Sequence, residues 1–545
     1  MKQRLWRSET AVFLGIWIVL ITTGRSRLLR DPGTFWHTVV GQRFLAGEFP
    51  WTDPFSFTCA GQPWIAWWWL AECVMALLHQ WAGLDGLLLA TVTILASLYT
   101  WVAHRLMRAG MSGGLAVLGT VLTMTASSYH FHARPHLATI VLLGWTFARL
   151  CDFEAGRLPL RSLYWLVPVF AVWMNLHPGV VGGLATLVLI IVGWIAVWFV
   201  GKLTGGDLLA GWPSIARLES SSPVQSEIVS AGDDTPAQIA TNPVMVCPAP
   251  PVLKLGLLVI GCGATALLTP YGWEVPRTWL SALSSPVVAR LIDEHRPLWE
   301  SPESWGVFPL AGLYVAALAG VWPRWPRVTW LIPLVWFCLA WTRIRHGPLF
   351  AITAVVALAD MWPHVAWVKY LSRRGSVLFR LRSSEEEIER RFGWRSLLIP
   401  AGLVLVAVGL QTAGVHAPVL GRGWAELDRT HWPVDLLPEL QQYEREHPPG
   451  TPIFNDMLFG GFLIYHTPGL RVFIDDRCEL YGDERLQQYI EAMRKDSTLI
   501  DQWAQQYGFE IALVAPDSAF DAYLSRAAGW ELQARSPAAS LYRRK

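Results

Sequence analysis

Charge is scarce in this chain. Asp, Glu, Lys and Arg make up 16% of its 545 residues, where soluble globular proteins carry roughly 25%. The 44 Lys and Arg nearly cancel the 42 Asp and Glu, so no basic field is available to hold nucleic acid. Cysteine is equally sparse. The seven residues at 59, 73, 151, 247, 262, 338 and 478 contain no CxxC pair and no framework spacing, which argues against a thiolate metal cage and against a disulfide scaffold. Neither a GxGxxG fingerprint nor a P-loop occurs; GCGATA at 261–266 lacks the third glycine. Dinucleotide and nucleoside-triphosphate chemistry therefore lack their usual backbone cradles.

In place of charge stands apolar sequence. Hydrophobic residues make up 53% of the chain and 32 residues are Trp, a side chain that favours membrane–water interfaces. Mainly apolar runs of roughly 17–25 residues are long enough to cross a bilayer as helices. They fall near 8–24, 84–104, 112–128, 136–151, 161–176, 178–200, 252–270, 305–322, 327–342, 346–364 and 396–413. The expected fold is mainly α: a polytopic membrane helix bundle of about eleven spans. The first run follows a basic head and has no small-residue cleavage site behind it, as in a retained signal anchor. Residues 63–83 are also apolar, but their Trp cluster, Glu72 and His79 suit a helix lying along the interface.

Charge asymmetry orients the bundle. With the N-terminus cytoplasmic and 63–83 at the surface, the inner loops hold Lys2, Arg4 and Arg7, then Arg105 and Arg108, Arg157 and Arg161, Arg324 and Arg327, and the cations from Lys369 to Arg395. This follows the positive-inside rule. Arg25, Arg27, Arg30 and Arg43 run against it in the first external loop. The expected organisation is an N-terminal membrane bundle (1–202) with its first external loop at 25–83, a disordered cytoplasmic linker rich in Ser, Pro, Asp and Gln (203–250), a second membrane bundle (251–414), and a small extracytoplasmic α/β domain (415–545). In that domain TPIFND (451–456), GFLIYHT (461–467), LRVFIDDR (470–477) and FEIALVAP (509–516) read as strands, and 483–507 as helix.

This topology gathers the unusual polar strings on one side of the membrane: RDPGTFWHTVVGQ (30–42), WTDPFSFT (51–58), YHFHARPH (129–136), NLHPG (175–179), TPYGWEVPR (269–277), IDEHRPLWE (292–300) and TRIRHGPL (342–349). Few charges fall mid-span, where an ion-coupled transporter usually keeps them. The run from Asp31 to Glu72 resembles the first external loop of GT-C glycosyltransferases, and more narrowly of bacterial relatives of the polyprenyl- and dolichyl-phosphate-sugar-dependent transferases. ARPH (133–136), NLHPG, TPYG (269–272) and RIRHGPLFAI (343–352) resemble later strings of that family. FNDMLFGGFLIY (454–465) followed by RVFIDDRCELYG (471–482) resembles the tail of one bacterial branch.

The resemblance implies inverting transfer of a sugar from a polyprenyl-phosphate donor to an external glycan, lipid or protein acceptor, at a site bathed in membrane lipids. It makes no cofactor certain and leaves a divalent metal open. Such chemistry needs a carboxylate to take a proton and cations to hold the departing phosphate. Asp31 is the candidate base by its place in the loop, although Asp-Pro also opens helices. Asp53 and Glu72 are candidate second acids. Arg343, Arg345, His346 and Arg134 are candidates for the donor phosphate. Arg134 and His136 stand where some relatives carry another acid, and none is present here. His130, His132 and His136 offer metal-binding imidazoles. His136, His177, Asp475 and Asp476 are acceptor-side candidates, while Asp475, Asp476 and Glu479 also read as a solvated turn. Two other functions fit the same composition: a lipid or polysaccharide transporter, which needs a polar path through the bundle, and a non-catalytic scaffold presenting the C-terminal domain.

Overall fold

A computed structural model describes residues 6–203, 251–284, 293–301, 305–379 and 394–545. The expected linker, from 204 onward, lies outside the described residues, as does the 380–393 part of the Arg-rich loop. Each expected span falls on a helix: α1 (Ser8–Arg27), α3 (Trp69–Arg108), α4 (Gly113–Ser127), α5 (His136–Glu154), α6 (Leu166–Leu176), α7 (Val180–Leu203), α8 (Val252–Ala264), α9 (Val307–Ala319), α10 (Ile332–Thr342), α11 (Gly347–Met361) and α12 (Leu398–Thr412), with α2 (Gly33–Leu45) in the first loop. Among the described residues, five helical segments are long and apolar enough to cross a membrane by themselves: Trp69–Arg108, His136–Glu154, Val180–Gly201, Ile344–His364 and Arg395–Thr412. The outer surfaces are apolar. Leu253, Leu257 and Ile260 form an exposed stripe on α8, costly in water and suited to hydrocarbon.

The stretch 63–83 does not continue straight into the next span. Helix α3 breaks at Ala82 and Gly83, the latter at φ 59°, a conformation that glycine tolerates and side-chain-bearing residues rarely adopt. The segment before the break lies against α2. A Cβ on Gly41 would sit 1.9 Å from the Glu72 carbonyl oxygen, so that close approach requires glycine.

The bundle has two polar ends and an apolar middle. At one end Arg105 pairs with Asp152 at 3.2 Å, Arg157 bridges Asp152 at 2.7 Å and Asp360 at 2.6 Å, and Arg327 pairs with Asp360 at 2.5 Å. The other end begins at His136. Helix α5, with 19 residues, spans about 28 Å at 1.5 Å per residue, close to the thickness of a hydrocarbon core. Between the ends, Leu95, Ala96, Leu143, Phe147, Ile352 and Val355 are buried in one cluster.

The C-terminal domain holds a five-stranded sheet, β1 (Thr451–Asn455), β2 (Leu470–Val472), β3 (Ile511–Val514), β4 (Trp530–Arg535) and β5 (Ser540–Arg544), in the order β2-β1-β3-β5-β4. β1 runs parallel to β2 and β3, and β5 antiparallel to β3 and β4. Three of the four expected strands are present. GFLIYHT is instead part of helix α13 (Met457–His466). A short, wholly apolar run carries no period to separate strand from buried helix, and α13 is apolar because it lies between the sheet and α2. Its Gly461 faces the Pro32 carbonyl oxygen, where a Cβ would come within 2.2 Å. The expected helix 483–507 is two, α14 (Cys478–Arg494) and α15 (Leu499–Tyr507). Strands β4 and β5 were not expected.

The domain is not a separate tail. Phe57 N–H donates to the Val472 carbonyl, and Val472 N–H to the Phe55 carbonyl, both at 3.1 Å, so the loop between α1 and α3 lengthens the sheet beyond β2. Phe35, Trp36, Phe55 and Trp64 of the loop share one core with Trp432, Phe462 and Val472. Three of the four loop cations that break the charge rule have acid partners: Arg25 with Glu426 at 3.0 Å, Arg30 with Asp428, and Arg43 with Glu48 at 3.5 Å. Gly461→Ala is therefore expected to destabilise the protein by about 1–3 kcal/mol through overpacking. Gly529→Ala, where a Cβ meets nothing within 4 Å, is expected to leave Tm unchanged. Thermal unfolding of both variants checks this.

Candidate active site

Asp31 occupies the turn between α1 and α2. Its Oδ1 accepts from Gly33 N–H at 2.7 Å, and its Oδ2 accepts from Arg134 Nη1 at 3.0 Å. It is thus a cap and an ion-pair partner at once. Arg134 reaches it because the turn before α5 is tied to the end of α1, Ala133 N–H donating to the Leu28 carbonyl at 2.8 Å. The same Arg134 Nη1 lies 3.4 Å from Glu294 Oε1. Glu294 sits on a short helical turn held by Ile344 N–H, which donates to the Arg296 carbonyl at 2.9 Å. That bond also brings Arg345 Nη1 to His295 Nε2 at 2.7 Å. A guanidinium only donates, so His295 is a neutral acceptor there. Burial and Arg345 push it down to about 4.

Asp476, from the segment between β2 and α14, enters the same site and accepts from Trp36 Nε1 at 2.8 Å. Burial raises its carboxyl, with help from Asp31 and Asp475, to about 7, against the pull of Arg134. Asp31 moves the other way. Burial alone would raise it, but Arg134 and His132 hold it below the usual range. Glu294 is likewise held well down by His130, Arg134 and Arg345 despite its burial. One acid near neutrality beside two ionised ones is an arrangement suited to moving a proton.

The remaining candidates separate into neighbours of this cluster and structural groups. Trp68 packs at a tilt against the Trp36 and His177 rings, at 5.8 and 5.4 Å, with the Arg134 guanidinium 5.9 Å from its centre. His177 Nδ1 accepts from Gly179 N–H at 2.9 Å, and the His136 ring lies 6.4 Å away. His346 packs on Trp336 at 5.8 Å, and Arg343 is exposed beside it. Asp53 caps Phe55 and Ser56 and pairs with Arg477 Nη1 at 2.9 Å. Glu72 faces His37 Nδ1 at 2.8 Å, both side chains being buried between α2 and α3. Asp475 is no solvated turn. It is fully buried and holds Arg477 at 2.6 Å and the Tyr481 hydroxyl at 2.9 Å. Glu479 is exposed.

Among the described residues, no three His, Cys, Asp or Glu side chains gather to hold a metal ion. His136 Nε2 is spent on the His130 carbonyl, and His132 Nε2 on the Tyr129 carbonyl at 3.0 Å. Several buried polar atoms here have no protein partner among the described residues: Arg134 Nε, Thr34 Oγ1, Trp68 Nε1 and the Nδ1 atoms of His130, His132 and His136. Buried polar groups are normally satisfied, so this concentration marks a place for a polar ligand. Glu294, Trp36 and Arg477 were missed from sequence. Glu294 lay inside a flagged string, IDEHRPLWE; the other two become visible only once the loop and the C-terminal domain meet.

Fold and site together define a membrane protein whose charge-dense centre lies at one end of an apolar helix bundle, roofed by a loop and a C-terminal domain. No family model matches the chain, and no curated protein matches it. Among solved structures it is similar to the oligosaccharyltransferase of Archaeoglobus fulgidus in the apo form (11% identity, TM-score 0.48, covering 93% of this chain and 69% of that one). It is similar also to ArnT from Cupriavidus metallidurans in the apo state (14%, 0.46, 98% and 96%) and to the arabinofuranosyltransferase AftD from Mycobacteria (16%, 0.44, 99% and 42%). These are GT-C glycosyltransferases, the superfamily whose motifs the sequence resembles. At such identities and TM-scores the likeness concerns the course of the chain alone, and the roles of residues rest on the geometry above.

Proposed function

We propose that the protein is a membrane glycosyltransferase that moves a sugar, with inversion, from a polyprenyl-phosphate carrier to an extracytoplasmic glycan, lipid or protein. The observation that carries this reading is the joining of a carboxylate to a cation cluster at one end of the bundle: Asp31 on Arg134, with Arg345 brought to the same turn by His295. The acceptor oxygen attacks C1 of the sugar, the bond from C1 to the phosphate oxygen breaks, and the electron pair leaves with the phosphate. Arg134 and Arg345, with Arg343 and His346 nearby, stabilise that charge. The acceptor proton passes to Asp31. In this reading the bundle of about eleven spans has a cytoplasmic N-terminus and this end faces outside; the ion cluster of Arg105, Arg157 and Arg327 at the opposite end supports that orientation, because those cations belong to the expected inner loops. Against a transporter stands the apolar middle of the bundle: residues 88–102, 137–148 and 349–358 contain no Asp, Glu, Lys, Arg or His.

Binding of the bare carrier tests the phosphate site. Arg345→Ala is expected to weaken polyprenyl-phosphate binding by roughly 10–100-fold, since hydrogen bonds to charged groups contribute about 1.5–3 kcal/mol. Loss of a contact that exists in the ground state and strengthens as charge builds on the departing phosphate lowers affinity and turnover together. Unchanged affinity, measured by calorimetry in detergent, would remove Arg345 from the site.

A further inference from the structure

The C-terminal domain carries residues that no glycosyl transfer strictly requires of an appended domain, yet it is locked onto the first external loop at the candidate base itself. We propose that Asp476 shares the acceptor's proton with Asp31, so that the base of the reaction is a carboxylate pair built from two segments at opposite ends of the chain. This rests on the glycosyl-transfer reading above.

Three contacts bring together the two segments that carry these acids. Trp36, on the helix that Asp31 opens, donates its Nε1–H to Asp476 Oδ1 at 2.8 Å. Gly461 of α13 touches the Pro32 carbonyl, the peptide adjoining Asp31. The residues on either side of Asp476 are immobilised: Asp475 and Arg477 are both buried, paired with each other at 2.6 Å, and Arg477 is paired with Asp53 of the loop at 2.9 Å. The direction of Asp476 is therefore set by a loop–domain ion cluster and not by its own strand end.

Neither acid suffices alone. Both Asp31 oxygens are engaged, one by Gly33 N–H and one by Arg134, and a carboxylate so stabilised as an anion binds a proton weakly. Asp476 is half-buried, and among the described residues only Trp36 donates to it. The charged and titratable groups facing it are Asp31 and Arg134 from the bundle, and Asp475 and Cys478 from its own segment. Close carboxylates titrate as a unit, one of the pair holding a proton to higher pH. The resting pair must therefore lose its proton before it can receive the acceptor's. During transfer the acceptor O–H bond breaks, the proton enters the pair and comes to rest on Asp476, and it leaves to water after product release. No oxidant or co-reactant is consumed.

The sign of the pH dependence follows. Only the fully ionised pair acts as base, so kcat/KM rises with pH through the Asp476 titration near 7 and levels off above it. Asp476→Asn leaves Asp31 clamped by Arg134. Its kcat is expected to fall roughly 10–100-fold, less than the roughly 10²–10⁴-fold for loss of a sole positioned proton acceptor because Asp31 remains, with donor KM little changed and the limb near neutrality moved to lower pH. Asp476→Glu is expected to keep that limb. Infrared titration of the wild-type protein supplies a readout besides activity: a carboxylic-acid C=O band that disappears as pH rises through about 7 and is absent from Asp476→Asn. Wild-type kcat and an unmoved limb in Asp476→Asn would overturn the pairing. If that variant does not fold, a wild-type spectrum with no acid band titrating near neutrality overturns it equally. A folded wild-type protein that transfers no sugar from any polyprenyl-phosphate donor refutes the reaction itself, and the shared-proton role falls with it. An active wild type with an unaffected Asp476→Asn refutes the pairing alone.

Discussion

Asp31→Asn is expected to lower turnover by roughly 10²–10⁴-fold, the contribution typical of a positioned acid–base group. Asn caps as well as Asp, so the Gly33 N–H keeps an acceptor and the start of α2 is preserved. The negative charge against Arg134 is lost. With Glu294 as its one remaining ion partner among the described residues, the guanidinium attracts phosphate more strongly, so donor binding should hold or tighten while kcat collapses. That split separates a base from a fold element: removing an interaction made only in the transition state lowers kcat and kcat/KM together. Steady-state kinetics with a saturating lipid-linked donor measure it. Near-normal turnover would reduce Asp31 to a cap.

The second large effect is on stability. The Arg477 side chain is fully buried, as are those of Asp53 and Asp475 on either side of it, and its guanidinium lies 4.6 Å from the Trp64 ring centre. Arg477→Met strands two carboxylates without a counter-charge. Breaking a buried pair in this way costs about 3–5 kcal/mol. Because Asp53 belongs to the loop and Asp475 to the domain, the loss should also release the domain and abolish transfer. Adding Asp53→Asn and Asp475→Asn removes the stranded charges and should restore a substantial part of the stability, though not the activity. Denaturant unfolding of the single and triple variants reads this out. A loss under about 1 kcal/mol for Arg477→Met would mean that water reaches the cluster and that the domain is held by its apolar contacts alone.

The membrane bundle was legible because a bilayer demands long apolar runs and tolerates little else. The break at Gly83 was legible for a related reason, since Trp, Glu72 and His79 do not belong in hydrocarbon. The polar strings pointed to the site because most of them sit at helix ends, and Asp31 and Arg134 do meet there. What could not be read was the meeting of distant segments. LRVFIDDR looks like a strand running into a solvated turn, and nothing local indicates that Asp475 and Arg477 are buried against Asp53. GFLIYHT looks like a strand because helix α2, which covers it, lies far away in the chain. Arg25, Arg30 and Arg43 looked like violations of the charge rule because two of their three acid partners, Glu426 and Asp428, lie at the other end of the sequence.

The most direct test of the account is transfer of radiolabelled sugar by purified wild-type protein offered a panel of polyprenyl-phosphate sugars, with the anomeric configuration of the product determined by NMR. The prediction is label moved to acceptor from at least one such donor, with inverted configuration and with Asp31→Asn inactive beside it. A folded protein that binds polyprenyl phosphate yet moves no label from any donor, or a product of retained configuration, would contradict it.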